Sequence, residues 1–367
     1  MDYQPTPNLL LEALAYLGRK AGGFTGQYIA NRLQLHGVMD LSPFWADFAP
    51  VKRLSELLDA RVRVPQQQLT RLFANLPGFP YSPIGAYSVA FLMFYPVLTR
   101  YDGDFSALLD EMRAFSPEHI TRQLMFSLEL NGGAAGDPAG RFMAGIQALD
   151  IPSDSKLLLV DSLHRYRAFL EEAAACLAPL LAELEAQGEA LGGVLRPFSE
   201  QVAAEGPEAY LRHASSLSPA TVRGLRPFLF GLDTNLTVEP FSAQERGGLL
   251  VYGGTLRRCI LTRLSSAKDE TTAVYEAIKL LGDRTRFDIL LFLRDRAAYG
   301  QELSDHFGLA RNTIHHHMSK LASAGLVTCT VDGNRVYYTV DKSAADRLLI
   351  RQRQLLIGGR WPAGHLT

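Results

Sequence analysis

Eight side chains in the last quarter of the chain carry groups suited to nucleic-acid contact. Arg311, Asn312, Thr313, His315, His316, Ser319 and Lys320 lie within one short stretch, and Arg335 follows after a change of period. Amide, hydroxyl and imidazole groups offer the donors and acceptors that base edges require, while arginine and lysine offer charge to phosphate. Their apolar neighbours decide which of them can serve. Ile314, Met318 and Leu321 recur at four and three residues, so they share one helical face turned toward a core. Asn312, His316 and Ser319 then share the opposite face, flanked by Thr313, His315 and Lys320. Arg311 sits at the N-terminal end, where a helix laid in the major groove touches bases. The run His315-His316-His317 invites a metal, but consecutive helical residues diverge by about 100° and cannot close on one ion. No metal is expected. His317, beside Met318, is expected to pack inward, and His316 to point out toward DNA.

These residues need a scaffold, and the surrounding pattern supplies one. Asp283 can cap a helix bearing Phe287, Ile289, Leu290 and Leu293 on one face. A second helix is expected from Gln301 to Phe307, stopped by Gly308, and a third begins three residues later. Two helices joined by a turn of about three or four residues containing Gly form a helix-turn-helix, whose second helix enters the major groove. After Gly325 the period changes. Leu326 to Val331 and Arg335 to Val340 are β-branched and aromatic around the turn residues Asp332, Gly333 and Asn334, which predicts a hairpin and hence a wing.

In this segment the chain resembles the ArsR-type (arsenic-repressor-like) winged helix-turn-helix regulators, over roughly residues 269–342. The family's Leu-Gly-Asp-Pro-Thr-Arg run is here Leu281, Gly282, Asp283, Arg284, Thr285 and Arg286. Its Thr-Val-Ser-His-His-Leu is Thr313, Ile314, His315, His316, His317 and Met318, its Ala-Gly-Leu-Val is Ala324 to Val327, and Arg335, Val336, Tyr337 and Tyr338 match the second wing strand. The resemblance implies a dimer made by helices flanking the winged core, and Leu348, Leu349, Leu355 and Leu356 of a last helix, Ser343 to Leu356, supply apolar surface for one. Two departures matter. The metal-sensing members carry Cys-x-Cys before the turn, and Ala298 to Leu303 contains no cysteine, so metal sensing there is not expected. Arg284 replaces proline and His315 replaces serine, which points to a different operator.

The chain of 367 residues, 47% hydrophobic, exceeds one ordinary domain and can bury more than one core. Its net charge of −1 is unevenly placed. From Lys268 to Arg360 there are 14 Lys and Arg against 11 Asp and Glu, a net +3, which leaves −4 elsewhere. So mild a basic excess predicts modest non-specific DNA affinity and greater weight on base contacts. Three scattered cysteines, Cys176, Cys259 and Cys329, fit neither a disulfide framework nor paired-cysteine zinc. With no apolar run long enough to span a bilayer, a soluble cytoplasmic protein is expected.

The fold class expected is mainly α: a large helical N-terminal domain with a small β element, residues 1–264, then a winged helix-turn-helix domain, residues 269–358. Helices are predicted after Asn8, over Gly26 to Leu35, Val51 to Leu58, Gln66 to Leu76, Ile84 to Leu98 and Phe105 to Phe115, and from Ser116-Pro117-Glu118 to about Leu130. Asn131 to Gly136 reads as a flexible break; it lacks the Lys and hydroxyl of a phosphate loop. Asp154 to Gln187 reads as one long helix kinked or divided at Pro179. Between Phe228 and Gly254 the pieces FLFGL, NLTVEP and GLLVYGG suggest a small sheet or hairpin. Ser265 to Asp269 is the expected junction.

Several residues admit two readings. Asp161 and His164 could relay a proton or pair at the surface. Arg257, Arg258 and Arg263 could meet phosphates or an acidic effector, or form a solvated helix face. Phe79, Tyr81, Tyr87, Phe91, Phe94, Tyr95 and Tyr101 could wall a ligand pocket or fill a core. The function these observations favour is a sequence-specific transcription regulator, expected to be a repressor. It would bind a double-stranded DNA operator as a homodimer, with no cofactor, no enzymatic activity and no membrane. Its N-terminal domain would sense a small-molecule effector or support assembly. The alternatives are an enzyme fused to a DNA-binding module, which finds no G-x-S-x-G, H-E-x-x-H or dinucleotide fingerprint here, and a purely structural N-terminal domain.

Overall fold

The architecture comes from a computed structural model. The described residues run from Met1 to Ile357, apart from 24, 36, 37, 39, 81, 131–136, 215, 216, 218, 242–247, 268, 269, 333 and 334. The expected break at Asn131 to Gly136, Tyr81, the wing-turn residues Gly333 and Asn334, and the side chains of Arg263, Leu355 and Leu356 therefore lie outside them.

The chain is mainly helical. Helices cover Leu9–Ala21, Gly26–Leu35, Ser42–Arg61, Gln66–Phe73, Val89–Phe94, Phe105–Arg113, Pro117–Ser127, Pro138–Ala148, Ser153–His164, Tyr166–Ala186, Gly188–Glu205 and Pro207–Ala214. Their starts follow local chemistry. The Asn8 side chain accepts from the Leu11 amide at 3.1 Å and Ser116 from His119 at 3.2 Å, with Pro117 in the first turn where no amide is needed.

The helix predicted over Val51 to Leu58 is part of a longer one, Ser42–Arg61, the one over Gln66 to Leu76 ends at Phe73, and two others are cut more deeply. The long helix breaks at Arg165 (φ −109°, ψ 29°), not at Pro179. Proline costs about 3 kcal/mol inside a helix, but burying one leucine returns about 1.5–3 kcal/mol. Leu177, Leu180, Leu181 and Leu184 are all buried around Pro179, so packing wins there. Arg165 instead turns its amide and guanidinium to Asp161, at 2.8 and 3.2 Å, which also leaves Asp161 paired with Arg165 and not with His164. The helix expected over Ile84 to Leu98 shortens to Val89–Phe94, because Gly85 has φ +71°, Ser88 caps the start, and the segment from Tyr95 with Pro96 tightens into a 3-10 turn to Arg100.

A small mixed sheet organises the N-terminal body. Strands β1 (Asp2–Tyr3), β2 (Val222–Phe228), β3 (Leu236–Val238) and β4 (Leu249–Gly254) lie in the order β1-β2-β4-β3, parallel except for β3. The piece FLFGL contributes only Phe228 to a strand. Beyond it the amides of Leu229 and Phe230 leave the sheet and donate to the Glu12 carboxylate at 2.8 and 2.9 Å. Its apolar character reflects burial, not strand pairing: Leu229 and Phe230 are core residues. Glu12 is fully buried, and burial raises its pKa to about 8 against the pull of those amides and of Arg19.

The helix Arg257–Ala267 runs through the expected junction as far as Ala267. Arg257 is not solvated: its guanidinium donates to the Asp233 carbonyl at 2.7 Å, and Arg258 pairs with Glu205. Beyond it, helices Glu270–Leu281, Arg284–Leu293, Gly300–Phe307, Arg311–Ser323 and Lys342–Ile357 surround a three-stranded sheet in the order β5-β7-β6. Its strands are β5 (Ala298–Tyr299), β6 (Val327–Asp332) and β7 (Arg335–Val340). Ile289, Leu293, Leu303, Ile314, Met318, Leu321, Leu326 and Val327 form a separate core in this unit.

Candidate nucleic-acid interface

The helix Arg311–Ser323 is seated by the face that its spacing predicted. Ile314, Met318 and Leu321 are each no more than 1% exposed. Gly308, at φ +62°, ends the preceding helix in the left-handed region that glycine tolerates, and the Tyr299 amide donates to Glu302 at 3.1 Å to close that helix's start. A third contact comes from Asp283. Its carboxylate accepts from the Arg286 amide at 3.0 Å, faces the Arg286 guanidinium at 3.4 Å, and lies 3.9 Å from Nδ1 of His317. The amide bond and Arg286 hold Asp283 below the usual carboxylate range, while burial, ahead of the charges around it, lowers His317. His317 therefore faces inward as a neutral group against Asp283.

The outward residues divide into two sets. Thr313, His316, Ser319 and Lys320 are exposed and Asn312 is half-buried beside them. Arg311, His315 and Arg335 instead face the N-terminal body across a cavity of about 1220 Å3. Arg311 donates to the backbone carbonyl of Glu129 at 2.7 Å and also pairs with Gln301. The Arg335 guanidinium lies over the Tyr299 ring, 4.4 Å from its centroid. Leu217 forms a parallel β-bridge with Cys329 of β6, so the two bodies also meet through backbone. Of the aromatic group left open above, Tyr87, Phe91 and Tyr95 line this cavity, while Phe94 is core.

Sequence reasoning missed Glu129, Glu239 and Tyr299 as cavity residues. Glu129 follows the helix Pro117–Ser127 and holds φ +55°, one of two such non-glycine positions among the described residues. Neither acid lies in a motif. Among the described residues no cluster of His, Cys, Asp and Glu could hold a metal, and no helix is long and apolar enough to cross a membrane.

A buried-core recognition helix, the helix before it and a two-stranded wing define a winged helix-turn-helix module. The family model described as a helix-turn-helix domain matches residues 281–330. The chain is 38% identical over 71 residues, 19% of its length, to the HTH-type transcriptional regulator CmtR of Mycobacterium tuberculosis, and spans 60% of that protein. It is 30% identical over 82 residues, 22% of its length and 63% of the relative's, to the regulator KmtR of the same organism. It is 32% identical over 72 residues to the arsenical resistance operon repressor of Staphylococcus aureus, covering 20% of this chain and 69% of that one. Through this segment the chain belongs to the ArsR-type family of helix-turn-helix transcription regulators. No solved structure matches it significantly.

Proposed function

We propose that the chain is a sequence-specific transcription regulator of repressor type. Its winged module reads double-stranded operator DNA, and its N-terminal helical body, residues 1–264, controls that reading in response to a small molecule. One observation carries the first part. The polar stripe of Asn312, Thr313, His316, Ser319 and Lys320 stands outward on a helix whose other face is locked by Ile314, Met318 and Leu321, in a segment shared with named DNA regulators. Arg311, His315 and Arg335 complete the contact set once they leave the N-terminal body.

A homodimer is part of this reading. Of the six large apolar side chains exposed among the described residues, Tyr275, Phe287, Leu291 and Leu349 lie on the winged unit, on the helices that flank or open it. Pairing two modules would bury that surface and place two reading helices about one DNA turn, roughly 34–36 Å, apart. The cytoplasm is the compartment that suits such a protein. Selection of bound duplexes from a random pool tests the proposal: an inverted-repeat consensus is expected, and recovery of unenriched sequence at low salt would leave only non-specific affinity.

A further inference from the structure

The cavity between the two bodies has walls from both. Tyr87, Tyr95, Phe126 and Phe241 come from the N-terminal side, and Tyr299 and Tyr338 from the winged module. The rings are organised: Tyr95 and Phe126 stack at 5.8 Å, and Phe126 meets Phe241 edge-on at 5.3 Å. Two carboxylates, Glu129 and Glu239, stand among them, and among the described residues neither carboxylate makes an ion pair. Burial raises the Glu239 pKa to about 7, with the Glu129 charge adding to it; burial also raises the hydroxyls of Tyr95 and Tyr338, with smaller contributions from both acids. The arginines of the same cavity are differently engaged: Arg122 pairs with Glu118, Arg311 with Gln301 and the Glu129 carbonyl, and Arg335 with the Tyr299 ring. Arg141 also reaches it, without an ion pair among the described residues.

The desolvated carboxylate of Glu239, with the exposed carboxylate of Glu129 in the same cavity and neither in an ion pair among the described residues, stands inside aromatic walls, an environment that a cation with an apolar body would stabilise. Its charge would lower the mutual repulsion of the acids, and the ring faces attract cations. The volume, about 1220 Å3, exceeds the roughly 300–1,000 Å3 of ordinary small-molecule pockets but cannot admit a duplex, into whose groove the reading helix itself must pass. We propose that this cavity binds a small organic cation, a protonated amine or quaternary ammonium on an apolar body, and that the ligand holds the reading helix against the N-terminal body and away from DNA. Because such a ligand touches both bodies, it binds the closed arrangement alone, and by linkage DNA and cation weaken each other.

The coupling to DNA rests on the function proposed above; the cation site does not. The probe is benzyltrimethylammonium, with phenylacetate as the anionic and benzyl alcohol as the neutral aryl control, each at millimolar concentration with the full chain. Benzyltrimethylammonium should raise the melting temperature and weaken binding of the selected operator by about 5–150-fold, whereas the controls do neither. Glu239→Gln and Glu129→Gln should each lose most of the thermal shift, and Arg141→Gln should keep it. A shift from phenylacetate in place of the cation, no shift from the cation, or a wild-type response in both glutamine variants would overturn the site. A thermal shift with unchanged operator affinity would overturn the closing role. If selection yields no operator, DNA reading fails by itself, and the melting curves still decide the cation site.

Discussion

Asn312 and His316 occupy the outward stripe of the reading helix, and neither takes part in the core that seats it. Replacing either with alanine should cost about 1–3 kcal/mol on the selected operator and far less on random DNA. Fluorescence anisotropy with both duplexes measures this, and equal losses on the two would reassign the residue to backbone contact. His317, one position on, behaves differently because burial holds its pKa below the ordinary imidazole value. The unfolded chain takes up a proton near pH 6.5 where the folded chain resists it, so the unfolded state binds more protons and stability falls as pH drops through that region. In His317→Gln that contribution is absent. Urea midpoints at about pH 7.5 and 5.5 should therefore differ less in the variant than in the wild type.

At the scale of elements, the turn and the wing each bear a prediction. Gly308 has φ +62° with nothing within 4 Å of where a Cβ would stand. Alanine there meets only the left-handed backbone penalty of about 1–2 kcal/mol, whereas Leu321→Ala empties a fully buried position and should cost about 2–5 kcal/mol. Urea unfolding ranks the two. Arg335→Ala should weaken selected and random DNA alike and make the salt slope shallower by about one unit; an unchanged slope would leave Arg335 with Tyr299 as its only duty.

The winged module was legible because its signals are local. A cap, a left-handed glycine and a four-three apolar spacing all act within a few residues, as Asp283, Gly308 and the Ile314-Met318-Leu321 stripe do. The N-terminal sheet was legible only in part. β4 reads as a strand, but β2 is broken up by Arg223, Gly224, Arg226 and Pro227, and β1 is two residues long with its partner more than 200 positions away. No local period can report that pairing. The helix division at Arg165 escaped for a related reason, since packing around Pro179 outweighed the residue that locally forbids a helix. The cavity was half legible: Tyr87 and Tyr95 stood in the aromatic group, but Glu129 and Glu239 acquire their setting only when the two bodies meet.

The molecule as a whole holds Arg311, His315 and Arg335 in the cavity between its two bodies, so the function proposed above, in which they touch DNA, requires the bodies to part. The Leu217–Cys329 bridge offers a direct test. Paired strands lie about 4.8 Å apart, within the Cα separation a disulfide accepts, so Leu217→Cys should form one with Cys329 under mild oxidation. The oxidised chain should lose operator binding and regain it on reduction; full binding by the oxidised form would mean that the bodies need not separate.

The pairing of β1 with β2 also bears on how the chain is made. Asp2 and Tyr3 pair with Gly224 and Leu225, and the Tyr3 hydroxyl donates to Ser199 at 2.9 Å. A ribosome therefore releases the first strand long before its neighbour exists, and the N-terminal body waits for some 250 residues before β4 (Leu249–Gly254) completes the sheet. The winged module closes contacts of short sequence separation and should fold quickly once it emerges. In synthesis as in the finished molecule, the DNA-reading part then has the N-terminal body already beside it, and the nascent chain can shelter its reading helix from the moment that helix forms.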